Sequence, residues 1–179
     1  MIKSSFVFIL FFVISILSLP TKASEPNQLI AEMTKISPDQ IYQTVSGIIS
    51  YSRWPVPKTP PTLCVSSSAY FLTPLTVRKE TKNAPKFNAV VLQKLDDIQQ
   101  LQCDAIYFGK ESVSQQIEIA SRSPNQPLLT IAEQNPECVS GSSFCLLFSD
   151  QNVRFSVNLN HLSRSGIRVH PDVLILARH

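Results

Sequence analysis

The chain has 179 residues, with 16 Lys and Arg against 13 Asp and Glu and a formal net charge of +3. Lys3 and Lys22 precede the first acid, Glu25, so from residue 24 onward the balance is 14 basic to 13 acidic groups. That near-neutrality excludes an electrostatic footprint for nucleic acid or anionic lipid. With four glycines against thirteen prolines, neither G-x-G-x-x-G nor a Walker phosphate loop occurs.

The N-terminus reads as an export signal. Lys3 gives a positive start, Phe6 to Leu19 form an uncharged apolar run, and Pro20 breaks it before Thr21-Lys22-Ala23, small enough for cleavage after Ala23. The run is shorter than the roughly 20 residues a membrane span needs. Residues 1–23 are therefore expected to be removed, leaving 24–179 as a single exported domain with no direct membrane insertion. Downstream lie four cysteines, Cys64, Cys103, Cys138 and Cys145. An even number behind an export signal predicts two disulfides. Of the three possible pairings, the short separation across Ser140-Gly141-Ser142 favours Cys138 with Cys145, which leaves Cys64 with Cys103.

Glu25 to Ile36 carries no decisive signal. Ser37-Pro38-Asp39-Gln40 is a capping box with proline at the first helical position, and Ile41, Val45, Ile48 and Ile49 follow at helical spacing. That helix should stop before Trp54-Pro55, and four prolines from Pro55 to Pro61 make a stiff connector. Strands are predicted at Thr62–Ser66, Phe87–Leu92, Asp104–Phe108 and Leu128–Ala132. Helices are predicted over Tyr70–Lys79 and from Ser112, where Gln115 completes a second capping box. Phe144–Phe148 and Val153–Val157 read as a hairpin. A short helix from Asn160 should end at Gly166, and a last one should run from Pro171 through Ala177. Strands alternating with helices, then a hairpin, predict an α/β three-layer sandwich with a largely parallel sheet and an antiparallel edge.

Enzyme signatures are missing. Gly141-Ser142-Ser143 has no second glycine for a nucleophile elbow, and His161, His170 and His179 fit neither H-E-x-x-H nor a cysteine–histidine zinc spacing. Asp96-Asp97 reads as a solvated helix start rather than an acid/base pair. No cofactor is expected. Trp54, the only tryptophan, is read as a core plug over a ligand platform, Phe155 as a buried strand residue and Asn158 as a turn or helix cap.

Two binding candidates stand out. Arg168 and His170 flank Val169 ahead of Pro171, so their side chains should share a side, and Arg53 would join them if the termini meet. The set could hold a carboxylate or phosphate; equally, Arg168 is plain surface charge and His170 a helix cap. Val173 to Ala177 are apolar or small all round the helix, so Leu174, Ile175 and Leu176 are candidates for a partner patch as well as for core.

One resemblance adds a function. Val45-Ser46-Gly47-Ile48-Ile49-Ser50-Tyr51-Ser52-Arg53-Trp54-Pro55, the segment Ile131 to Cys138, Phe144-Cys145 with Val153 to Asn158, and Leu162-Ser163-Arg164-Ser165-Gly166 with Pro171 to Leu174 and Leu176-Ala177-Arg178 resemble, in order, blocks of the YfiR family. The likeness spans Gln40 to Arg178 and is nearest to the enterobacterial, HmsC-like members. It implies a periplasmic inhibitor of a membrane-bound diguanylate cyclase, acting on the cyclase's periplasmic domain and relieved by an outer-membrane lipoprotein. It leaves a homodimer open. The alternative expectation is a periplasmic small-ligand sensor.

Overall fold

The computed structural model describes residues 26–77, 84–122 and 126–176, with side chains in the last helix described as far as Val173. The expected signal segment, 1–23, lies outside them. Helix α1 (Pro26–Met33) occupies the stretch that carried no decisive signal, and Met33 is fully buried. Helix α2 (Pro38–Tyr51) starts at the expected capping box, with Gln40 N–H donating to Ser37 Oγ and Ser37 N–H to Gln40 Oε1. Its buried residues Ile41, Val45, Ile48 and Ile49 recur at helical spacing and form one apolar stripe.

The main sheet has the order β3-β2-β4-β5-β6-β7, with β2 (Thr62–Ser66), β3 (Asn88–Leu92), β4 (Ala105–Phe108), β5 (Leu129–Ala132), β6 (Phe144–Ser149) and β7 (Asn152–Val157). Every neighbouring pair is parallel except β6 with β7. The two central strands β4 and β5 are buried along their whole length, as strands covered on both faces must be. A mostly parallel sheet between helical layers is the three-layer sandwich that the element pattern predicts.

Two cores divide at the sheet. Residues of α1, α2 and α3 (Leu72–Thr76), with Leu162, Ile167 and Val173, pack against alternate residues such as Val65, Tyr107, Ile131 and Leu146. The opposite core joins Cys64, Ile106, Phe108 and Ala132 to Ile98 of α4 (Ile98–Leu101) and Ile119 of α5 (Val113–Arg122). Successive strand residues point to opposite faces, which places Val65 and Tyr107 in one core and Cys64 and Ile106 in the other.

Several elements differ from the sequence reading. The helix expected over Tyr70–Lys79 is confined to α3: the Pro74 ring bars helix from continuing back through Tyr70, and Val77 leaves helical backbone at ψ 103°; Arg78 and Lys79 lie outside the described residues. Asp96-Asp97 does stand at a helix start, in the helical turn Leu95–Asp97 that leads into α4, and Asp96 pairs there with Arg122 of α5. Phe155 is half-buried rather than buried, resting on the Phe144 ring at a centroid distance of 5.7 Å, because β7 is an edge strand. Asn158 caps α6 (Leu159–Arg164), its Oδ1 accepting from His161 N–H at 2.9 Å.

The connection from β5 to β6 has no helix. It runs through Cys138, Ser140 and Gly141 beside α5 and is held by a buried polar network. Asn135 Nδ2 donates to Ser140 O at 2.7 Å, and Ser142 Oγ donates to Gln116 Oε1 at 2.8 Å. Buried amides and hydroxyls are satisfied in this way instead of by a helical ladder.

Candidate functional site

Outside the main sheet, β1 (Ser52–Arg53) and β8 (Arg168–Val169) form a two-stranded antiparallel ribbon with Ser52 opposite Val169 and Arg53 opposite Arg168. His170 N–H extends the ladder to Tyr51 O at 2.9 Å. The ribbon arises because α2 ends at Tyr51 and α7 (Pro171–Leu176) begins at a proline, which forces the preceding residue into extended backbone. Residues opposite one another share a face and alternate residues return to it, so Arg53, Arg168 and His170 lie together. The Tyr51 ring joins them, its centroid 6.0 Å from the imidazole of His170.

This ribbon face is exposed. Arg53 donates through one terminal nitrogen to the carbonyls of Ser50 and Ser52, and among the described residues neither arginine has a carboxylate partner. His170 Nδ1 accepts from Asp172 N–H at 3.3 Å and lies 3.4 Å from Asp172 Oδ2. The imidazole thus caps the start of α7, and α7, with six residues, contributes no further N–H site of its own. The three sequence candidates Arg53, Arg168 and His170 are brought to one face. Leu174, Ile175 and Leu176 follow Val173 in α7, with Val173 buried at 1 % exposure; the side chains of the three lie outside the described residues.

The ribbon is tied to the sheet beside it. Trp54 packs against the α2 core and donates its indole N–H to Asp104 O at 3.0 Å. Asp104, buried next to β4, accepts from Thr62 N–H at 2.9 Å and pairs with Lys58 Nζ at 3.0 Å. The proline connector is held down by these contacts. Trp54 is a partly buried plug with its polar edge satisfied.

The C-terminal ends of β2 and β4, where parallel sheets of this order hold their ligands, are filled by the chain itself. Glu111 accepts from Ser66 Oγ, from Ser68 Oγ at 2.8 Å and from Gly109 N–H at 2.7 Å. One strand further on, Glu133 is buried and accepts from Tyr70 N–H at 2.6 Å, Phe71 N–H at 3.3 Å and the Tyr107 hydroxyl at 3.0 Å. Burial pushes the Glu133 carboxyl above its ordinary value, and the donors from Tyr70, Tyr107 and Phe71 oppose that rise. Tyr107 is raised well above the usual phenol value by burial, then by the charge of Glu133. Glu133 fastens the β2–α3 turn to β5. A carboxylate with all its donors supplied by its own fold has the marks of a structural group.

Cys64 is bonded to Cys103 with Cα atoms 5.7 Å apart, and Cys138 to Cys145 at 5.6 Å. The first staples β2 to the turn before β4; the second ties the helix-free connection to β6. No group of three or more metal-ligating side chains occurs among the described residues.

The YfiR/HmsC-like family model matches residues 42–178, from the second turn of α2 through α7. The chain belongs to the YfiR/HmsC-like family. The match encloses both disulfides and both strands of the ribbon. Membership places the chain, at family level, with periplasmic regulators of diguanylate cyclases. Two disulfides suit an oxidising compartment, and no described helix is long and apolar enough to cross a membrane. The sequence reading did not reach the ribbon pairing or the Glu133 network. Tyr70, Tyr107 and Glu133 are far apart in the chain, and no local pattern marks their meeting.

Proposed function

We propose that residues 24–179, freed of the 1–23 signal, form one periplasmic domain that binds the periplasmic sensory domain of an inner-membrane diguanylate cyclase. Binding holds the cyclase in its inactive arrangement, which lowers cyclic di-GMP and biofilm formation, and an outer-membrane lipoprotein relieves the inhibition by taking up the regulator. The observation that carries this reading is the family match from residue 42 to residue 178. Binding shifts a two-state cyclase only through a difference in affinity for its two states; moving it from almost wholly active to almost wholly inactive takes a difference of about 10⁴-fold.

The contact surface we favour is α7, with Leu174, Ile175 and Leu176 as the apolar residues offered to the cyclase. At about 25 cal/mol per Å² of apolar surface removed from water, three such side chains suffice for a shift of several kcal/mol. An Ile175→Asp variant that is exported in normal amounts should raise cyclic di-GMP as far as deletion does; inhibition as strong as wild type would remove α7 from the contact.

A second reading, a periplasmic small-ligand sensor, is supported by the ribbon face. Two guanidiniums, an imidazole and a phenol ring share an exposed face; Asp172 lies beside His170, but neither guanidinium has a carboxylate partner among the described residues, an arrangement suited to a carboxylate or phosphate group. The two readings combine if an anion held by Arg53, Arg168 and His170 alters the adjoining α7.

A further inference from the structure

A groove of about 320 Å³ opens between α5, the helix-free β5–β6 connection and α6. Ile117 on α5 and Val139 on the connection are lining residues left 46 % and 76 % exposed, and buried Leu128 lines the groove with them. Large aliphatic side chains lining an open groove are the part of such a site that takes an apolar ligand body.

Polar residues line every wall, Ser121 on α5, Ser140 on the connection and Asn160 on α6 among them, but the charge is of one sign. Arg164 and His161, successive on one side of α6, line the groove, and no carboxylate does. Arg164 spends its Nε on Asn160 O at 3.2 Å and has no acidic partner among the described residues, so its two terminal nitrogens remain for a ligand. Burial, then the charge of Arg164, holds the His161 imidazole below its ordinary pKa, and an anion seated between them would relieve that repulsion.

We infer that this groove binds a small monocarboxylate with an apolar tail, its head on the Arg164 guanidinium and its tail between Ile117 and Val139. An eight-carbon acid is a simple probe that carries both a carboxylate head and an apolar tail. The site is separate from the Arg53–Arg168 ribbon and does not depend on the cyclase reading.

The test is calorimetric titration of the exported, disulfide-bonded protein with sodium octanoate, with 1-octanol and inorganic phosphate as controls. Octanoate should bind with a Kd of about 0.1–1 mM, at least tenfold more tightly than either control. Arg164→Gln and, independently, the exposed Val139→Asp should each weaken it at least tenfold with an unchanged thermal midpoint, whereas Arg168→Ala in the ribbon should leave it within twofold. Absence of octanoate binding at several millimolar, equal binding by Arg164→Gln, or loss through Arg168→Ala would each overturn the assignment.

Discussion

Arg53 and Arg168 stand directly opposite one another in the β1–β8 ribbon, two like charges on one face at positions where cross-strand neighbours normally attract. The pairing is held by the His170 to Tyr51 backbone bond and by the burial of Ser52 on the other face. If the face serves an anion, Arg168→Ala with His170→Ala should abolish binding of a carboxylate or phosphate ligand found by screening, while loss of the His170 cap on α7 costs only about 1 kcal/mol of stability and leaves the domain folded. Unchanged affinity in the double variant, measured by titration calorimetry, would mean that the ribbon is only a clasp between the chain's two ends.

The disulfides should differ in weight. On the chain-entropy account, the 39-residue separation of Cys64 and Cys103 contributes about 4 kcal/mol and the 7-residue separation of Cys138 and Cys145 about 2.5 kcal/mol. Urea unfolding of the Cys64→Ala/Cys103→Ala and Cys138→Ala/Cys145→Ala proteins should rank them in that order. The second pair should also loosen the Asn135–Ser140 bond, seen as faster amide exchange in the connection.

Glu133 gives stability a pH dependence. Its native pKa lies above the unfolded value, so its contribution is fully present below about 4.5 and is lost as pH rises through the higher native value. Between pH 4.5 and neutrality this residue therefore makes the slope of unfolding free energy against pH more negative. Glu133→Gln should remove that component. It should also cost about 1–3 kcal/mol, because the amide NH₂ must replace one of the two oxygens and then faces either the Tyr70 N–H or the Phe71 N–H, a donor against a donor. A slope identical to wild type in denaturant titrations across this range would show that Glu133 does not titrate there.

Gly109 has no room for a side chain. A Cβ there would lie 2.4 Å from Ala69 N, in the turn after β2. Gly109→Ala should cost about 1–3 kcal/mol by overpacking and disturb the Glu111 contacts to Ser66 and Ser68. An unchanged urea midpoint would show that the two turns separate freely.

What the sequence reveals here is mostly local. The capping boxes at Ser37 and Ser112 reappear as paired hydrogen bonds because side chain and backbone lie three residues apart. The hairpin turn is legible for the same reason: Asp150 and Gln151 take positive φ values of 51° and 61° between two alternating strands. The ribbon is another matter. β1 and β8 have two residues each and lie over a hundred positions apart, so no period can build up in either. Helix α1 escaped because it depends on tertiary burial of Met33 more than on a cap. Of the candidate site, Arg168 and His170 follow from strand alternation before a proline, whereas the arrival of Arg53 required the fold.

The most direct test of the regulatory account is the cellular level of cyclic di-GMP in a strain that keeps the diguanylate cyclase but lacks the outer-membrane lipoprotein, before and after deletion of this gene. With the lipoprotein gone, inhibition should be at its fullest, so deletion should raise cyclic di-GMP severalfold, and the rise should vanish when the cyclase is also removed. An unchanged level on deletion, with the cyclase present and the lipoprotein absent, would contradict the account.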